Sequence, residues 1–439
     1  VPNSILDNRL SHSRLPASVA RVAAMCLVAI LWHADVSAQA PPMDPYATGA
    51  YSGGTTNIFT SPQAWLGYPA GGGYPNSMQA SDRLWLRAEY LYWRTAGMET
   101  PPLATTSTSG TPQDEAGILG FDSTSVLFGG GKINSGTTNG ARIKGGFYFT
   151  QSAAFGIEGE YFGLADQSDG FSGGSNYEIL ARPFYDTTND RETAQLINYP
   201  GRFEGNMSIQ SASSLRSAML VGRTSLCPTC GGNCVSCQNT DRVDWIVGYR
   251  HMRLSDQLTI SESAESFVPG ALGTIQLSDQ FSTKNDFNGL QLGVAYQANM
   301  QRVWLESLLR VAVGQNKQSV GIGGSTSLTE FGATTDYPGG LLAQRFNSGT
   351  YERNEFTMIP EIGLTLGVRI LDCLHATVGY TLVYLPAVVR AGDQIDTEVN
   401  PSLLAPPIDP LTGAQRPQFR FVESDYYAHG LSLGMQLQF

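Results

Sequence analysis

The densest chemistry in this sequence is the run Cys227-Pro-Thr-Cys230-Gly-Gly-Asn-Cys234-Val-Ser-Cys237. Two C-x2-C pairs supply four thiolates, the number that tetrahedral zinc or an iron–sulfur cluster needs. Only Gly231, Gly232 and Asn233 separate the pairs, where zinc folds commonly leave about a dozen residues or more. Haem attachment would want a histidine after the second cysteine of a pair, and Gly231 and Gln238 stand there instead. In an exported chain the compartment is oxidising, so Cys227, Cys230, Cys234 and Cys237 are read as disulfide candidates, with no metal and no cofactor expected. Cys373 stands alone and is free to pair between molecules or to remain a thiol.

Hydrolytic chemistry finds little support. Of five histidines, His12 and His33 lie within residues 1–38, the expected signal peptide, leaving His251, His375 and His429. No H-E-x-x-H or P-loop pattern occurs, and the chain is expected not to be an enzyme. With 27 Lys and Arg against 38 Asp and Glu, the net charge is −11 and no basic block stands out. A phosphate backbone would be repelled, so no nucleic-acid partner is expected.

A second chemical set is distributed along the chain. Arg87, Glu89, Arg142, Lys144, Glu158, Glu160, Asp244, Arg250, Glu306, Arg310, Glu361 and Arg369, with Glu204 and Arg216, occupy the polar parity of segments that alternate with period two. Such segments are strands with two unlike faces. The pattern is clearest at the C-terminus, where Leu431, Leu433, Met435, Leu437 and Phe439 alternate with Ser432, Gly434, Gln436 and Gln438. Ten segments are expected, at about 83–95, 139–150, 153–166, 203–222, 242–262, 281–298, 302–322, 351–370, 374–390 and 417–439. Connections after the second, sixth and eighth are tight, and those after the odd-numbered segments are long and rich in Gly, Ser, Thr and Pro. Alternating short and long connections on an even number of strands describe a transmembrane antiparallel up-and-down β-barrel. The fold class is therefore all-β, with twelve strands as the alternative if the stretch 96–138 hides a hairpin around Ser125–Phe128. A secreted β-sandwich would also alternate, but aromatic residues near strand ends, such as Tyr90, Tyr92, Tyr161, Trp245 and Tyr249, suit the girdles of a lipid interface.

If the apolar parity faces lipid, the charged set points into the lumen. A ten-stranded barrel is narrow, so balanced Arg and Glu residues there are expected to pair into a salt-bridge plug. A narrow ion pathway is the alternative.

The remaining segments set location. Arg14 and Arg21 precede the apolar run Val22–Trp32, and Val36-Ser37-Ala38 follows, so residues 1–38 read as a cleaved signal peptide. The run is too short to span a bilayer. Residues 39–82, rich in Gly, Pro, Tyr and Ser, read as a flexible periplasmic leader. Residues 83–439 form the barrel, with a Cys-rich periplasmic turn at 223–241. The expected surroundings are the outer membrane and its lipid, the barrel assembly machinery through Phe439, and an extracellular partner met through long external loops. Arg182-Pro183-Phe184 in one such loop reads as loop packing.

Several segments also carry a resemblance. Trp85 to Ser107, Ser125 to Gly131, Gly156 to Leu164, Leu180 to Asp186, Pro200-Gly201 and Val247 to Ile260 resemble the planctomycete "BBP" family of outer-membrane β-barrel proteins. The resemblance runs from about residue 83 to Phe439 and implies an outer-membrane barrel. It brings no settled activity and therefore no site residues.

Overall fold

A computed structural model describes residues 83–439 apart from 151–152, 227–241, 269–272, 301 and 409. The expected signal peptide, the leader and the four clustered cysteines lie outside the described residues.

Ten antiparallel strands close into a barrel: β1 (Leu84–Thr95), β2 (Gly136–Tyr148), β3 (Phe155–Leu164), β4 (Phe203–Ser225), β5 (Arg242–Ser266), β6 (Gly273–Met300), β7 (Val303–Glu330), β8 (Gly349–Leu371), β9 (Leu374–Val389) and β10 (Glu423–Gln438). Each pairs with the next, and β10 pairs with β1 from Trp85↔Gln438 to Thr95↔Ala428, so no edge remains in the closed part. The hairpin suspected around Ser125–Phe128 is real, but Thr124–Phe128 pairs with Ala104–Ser107 in a separate sheet and adds no barrel strand. The count is ten.

Closure satisfies every ladder donor and acceptor within the wall, the condition for crossing hydrocarbon with strands. Side chains on the outward parity form an exposed apolar band that includes Leu86, Tyr90, Ile143, Tyr161, Trp245, Val247, Leu290, Leu309, Met358, Val368, Leu433 and Met435. In an aqueous protein such a band would be unstable; in lipid it is the required surface. The tight connections lie at one end, which by the usual rule is periplasmic.

The wall is uneven. β4 to β8 run 23, 25, 28, 28 and 23 residues, whereas β1 has 12 and β3 has 10. Crossing the hydrocarbon takes about 9–11 residues, so β4 to β8 rise well beyond the membrane as a tall wall. Two connections expected to be long loops are largely strand: the β5–β6 hairpin extends to Ser266 and resumes at Gly273, and β7 continues to Glu330 and folds back through Ala333–Pro338.

The other long connections fold as well. Ala104–Ser107, Thr124–Phe128, Leu180–Asp186 and Arg191–Asn198 form one antiparallel sheet, joined in parallel by Glu398–Val399. This cap packs against the inner face of the tall wall. Met98, Leu103, Leu180, Phe184 and Val399 from the cap, with Leu341 and Leu342 from the β7–β8 connection, share a core with Met207, Ile209, Leu258, Ile260, Leu277, Phe281, Val320 and Ile322 from the wall. The long external connections are thus a folded body whose apolar core is shared with the wall.

Candidate functional site

Because successive strand residues point to opposite faces, one parity of each barrel strand lines the lumen. On β1 this is Arg87 and Glu89; on β2 Arg142 and Lys144; on β3 Glu158 and Glu160; and on β4 Arg223. β5 adds Asp244 and Arg250, β7 adds Glu306 and Arg310, and β8 adds Glu361. These six bases and six acids form one network in which every side chain is at most 10% exposed.

The network crosses the lumen from wall to wall. Arg310 reaches Glu160 at 3.0 Å and Glu158 at 3.2 Å, both on β3, and Glu361 at 3.8 Å on β8. Arg223 donates to Asp244 at 2.5 Å, Glu158 at 3.0 Å and Glu306 at 3.2 Å. Arg250 holds Glu361 at 2.5 Å, and Lys144 lies 3.3 Å from Glu160. Arg142 pairs with Glu89 and also donates to Thr381 and Ser432 hydroxyls. Several carboxylates thus face two bases, which suits charges removed from water better than isolated pairs.

Eleven of the fourteen charged residues expected in the lumen are therefore there. Arg369 is not: it is exposed at the periplasmic end of β8, two residues before the turn. Glu204 and Arg216 are also exposed, on the outward parity of β4. Arg223 takes their place. It was hidden from the sequence because it falls at the start of the segment 223–241 expected to be a turn, whereas β4 continues to Ser225.

The periplasmic mouth has an aromatic floor. Trp85 and Trp304 are nearly buried, and the Arg87 guanidinium lies 5.7 and 5.0 Å from their rings. Glycines make room for both. Trp304 pairs with Gly367, where a Cβ would sit 2.0 Å from the indole, and Trp85 pairs with Gly146, where it would sit 2.5 Å away. The Trp304 indole N–H donates to His375 Nδ1 at 3.1 Å, and Arg87 donates to the Gln436 side-chain oxygen at 2.8 and 2.6 Å. Of the other histidines, His429 meets the Tyr380 hydroxyl at 2.6 Å and His251 meets Asn288 at 3.0 Å, both on the outward parity.

Two residues further up β1, β3, β5 and β8 from their charged side chains, the lumen turns apolar. Leu91, Trp93, Phe162, Leu215, Met252, Leu254, Phe287, Ile359 and Leu385 form a buried cluster directly over the charged layer. Arg142 joins the two layers, 5.7 Å from the Trp93 ring.

Above this the cap is fastened by two buried arginines: Arg182, which the sequence offered only as loop packing, and Arg390, which it did not single out. Arg390 donates to both oxygens of Asp256 on β5, at 2.5 and 3.2 Å, and points toward the carbonyls of Ala96 and Gly97. Arg182, 1% exposed, donates to Asp279 at 2.6 Å and to Glu262 at 3.3 Å, so the loop packing expected of Arg182-Pro183-Phe184 is anchored by charge. Asp279 also accepts the backbone N–H groups of Leu341, Leu342 and Ala343 at 2.9–3.3 Å. Burial raises the Glu262 carboxyl above its ordinary range, more than the facing Arg182 lowers it. Asp393, in the short helical turn after Arg390, is likewise raised by burial.

Among the described residues no group of His, Cys, Asp and Glu is arranged to hold a metal ion, and Cys373 is exposed in the β8–β9 turn.

With a closed barrel, an outward apolar band and a charged lumen established, comparison with known proteins becomes informative. Residues 85–439 match the family described as "Putative beta barrel porin-7 (BBP7)". The chain belongs to this family. Membership places a BBP7 barrel in the outer membrane, in agreement with the resemblance read from Trp85–Ser107 and Val247–Ile260. A search of curated proteins finds no match. Solved structures similar to this BBP7 chain include the outer membrane protease OmpT from Escherichia coli, with 9% identity, coverage of 82% of this chain and 98% of that one, and a TM-score of 0.35. The transport unit of the autotransporter AIDA-I from Escherichia coli (9% identity, 82% and 91% covered, TM-score 0.24) is also similar. So is a Pseudomonas aeruginosa FadL homologue (9% identity, 82% and 91% covered, TM-score 0.22). None of the three bears on what this chain does.

Proposed function

We propose that this BBP7 protein is a sealed, non-enzymatic barrel that anchors a folded cap at the cell surface and meets its partners through that cap. The observation that supports the reading best is the stack inside the wall. A network of six bases and six acids, joined at Asp244 by Arg242, is covered by an apolar layer, and that layer by a cap whose core is shared with the wall. An open pore would need a continuous wet path. Here the charges that would line one are paired with each other, and the layer above them offers ions no ligands.

The test is single-channel recording of the purified chain in planar bilayers, after heat-modifiable gel migration has established that the barrel is folded. The expected outcome is a silent bilayer for the native protein. Discrete, reproducible steps would overturn the seal and favour a narrow pathway through the Arg and Glu network, whose selectivity would then change in Arg142→Ala and Arg310→Ala.

A further inference from the structure

The outward face of the tall wall carries a charge pattern that neither the lumen nor the cap explains. Along β4 to β8, the bases on the outward parity gather in two adjacent rows just above the apolar band: Arg216, Arg253 and Lys317 in the lower row and Lys284 in the upper, between Ser255 and Ser319. The register sets them side by side, with Arg216↔Arg253, Arg253↔Asp286 and Asp286↔Lys317 as direct neighbours. Two acids share these rows, Asp286 in the lower and Glu352 in the upper. Asp286 takes Arg253 at 2.5 Å and Lys284 at 3.3 Å, and Glu352 takes Lys317 at 2.9 Å. Arg216 makes no ion pair among the described residues. Four bases against two acids leave a positive strip on a chain whose net charge is −11.

Immediately above this strip the wall is hollowed into a groove of about 510 Å3, lined on its outward side by Ser214, Ser255, Ser282, Lys284, Ser319 and Thr350, with Asp166 at one end. Arg216 and Arg253 lie one outward position below Ser214 and Ser255 on the same strands, at the groove's membrane side.

We propose that this groove and its basic lower rim bind the phosphorylated sugar headgroup of an outer-leaflet glycolipid. Three observations converge on that occupant. The site lies where the lipid-facing band ends, at the level headgroups must occupy. Its rim is the one outward place on these strands where bases outnumber acids, complementary to phosphate. Its floor is a row of hydroxyl groups, which exchange hydrogen bonds with sugar hydroxyls and leave room for a ring. The acids stand clear of that rim in part: Glu204 and Glu265 lie at the far upper ends of β4 and β5.

The experiment is native mass spectrometry of the full folded chain in detergent, offered three probes in turn: a bisphosphorylated glucosamine-disaccharide lipid, the same lipid without phosphates, and inorganic phosphate. The native protein should retain one phosphorylated lipid per chain and discriminate against the phosphate-free form. Lys284→Gln with Arg253→Gln, and separately Arg216→Gln, should each lower retention at least tenfold, while Lys132→Gln, on the exposed β1–β2 connection beside Glu99, should not. Arg216→Gln breaks no ion pair, so it carries the test if the double variant fails to fold. Equal retention by the variants, equal retention of the phosphate-free lipid, or displacement of the lipid by inorganic phosphate would each overturn the proposal.

Discussion

Arg310→Ala tests whether the lumen network holds the barrel shut and stable. Arg310 is 3% exposed and lies within 4 Å of three carboxylates on two strands that face each other across the lumen, Glu158 and Glu160 on β3 and Glu361 on β8. Removing one partner of a buried ion pair costs about 3–5 kcal/mol, because the charge left behind is neither solvated nor paired. Here each carboxylate keeps another base: Glu158 keeps Arg223, Glu160 keeps Lys144 and Glu361 keeps Arg250. The loss should therefore fall at the lower end, about 3 kcal/mol, or a hundredfold or more in the folding equilibrium. Urea titration in lipid, followed by the folded and unfolded bands on unheated gels, reads it directly. Arg310→Ala combined with Glu160→Gln should recover part of the loss, since it removes one of the stranded charges. A loss below about 1 kcal/mol, or no recovery in the double variant, would refute the argument that these charges depend on one another.

Three further outcomes are expected. Gly340→Ala should loosen the cap, because its Cβ would fall 2.0 Å from Asp279 Oδ1, where that carboxylate receives the 341–343 backbone; amide exchange at Leu341 to Ala343 should quicken. Cap stability should also fall as pH rises. The Glu262 and Asp393 carboxyls are raised in the folded state, so their contribution is complete below the ordinary carboxylate range and is lost as pH climbs through the raised values. Protease resistance of the cap should therefore be greater at mildly acid pH than at neutral pH, and Glu262→Gln should flatten the difference; a resistance that grows with pH would contradict it. Finally, alkylation of the non-reduced, unfolded mature chain should label one cysteine, Cys373, if Cys227, Cys230, Cys234 and Cys237 pair as expected. Five labelled thiols would contradict that pairing.

Much of this protein was legible in its residues. Period-two alternation located all ten barrel strands, since a strand between lipid and lumen must alternate. The short connection at 372–373 fell where expected. Eleven of the fourteen charges expected in the lumen followed from parity alone, because an ionisable side chain facing lipid is costly while one facing the lumen finds partners. The misplacement of Glu204 and Arg216 has one cause. On β5 the apolar residues hold odd positions through Val243, Trp245, Val247 and Tyr249, then shift to even ones at Met252, Leu254, Leu258 and Ile260. Below the shift they face lipid; above it they face the cap, and the polar parity faces water. β6 shifts in the same way between Leu290 and Phe287, and β7 between Val313 and Val320. On β4 the upper, inverted pattern of Met207, Ile209 and Leu215 was read as lipid-facing, which turned Glu204 and Arg216 inward on paper. The shift is itself a signal, marking where each strand leaves the membrane.

Local sequence thus determined the strands, their two faces and the charge balance of the lumen, because each is a property of neighbours along the chain. Tertiary structure alone decided which acids each arginine meets, that the long connections fold into one cap, and that Arg182 and Arg390 fasten it to Asp279 and Asp256. These pairs join residues 97 and 134 positions apart, and no local pattern encodes a contact that exists only once the wall has closed.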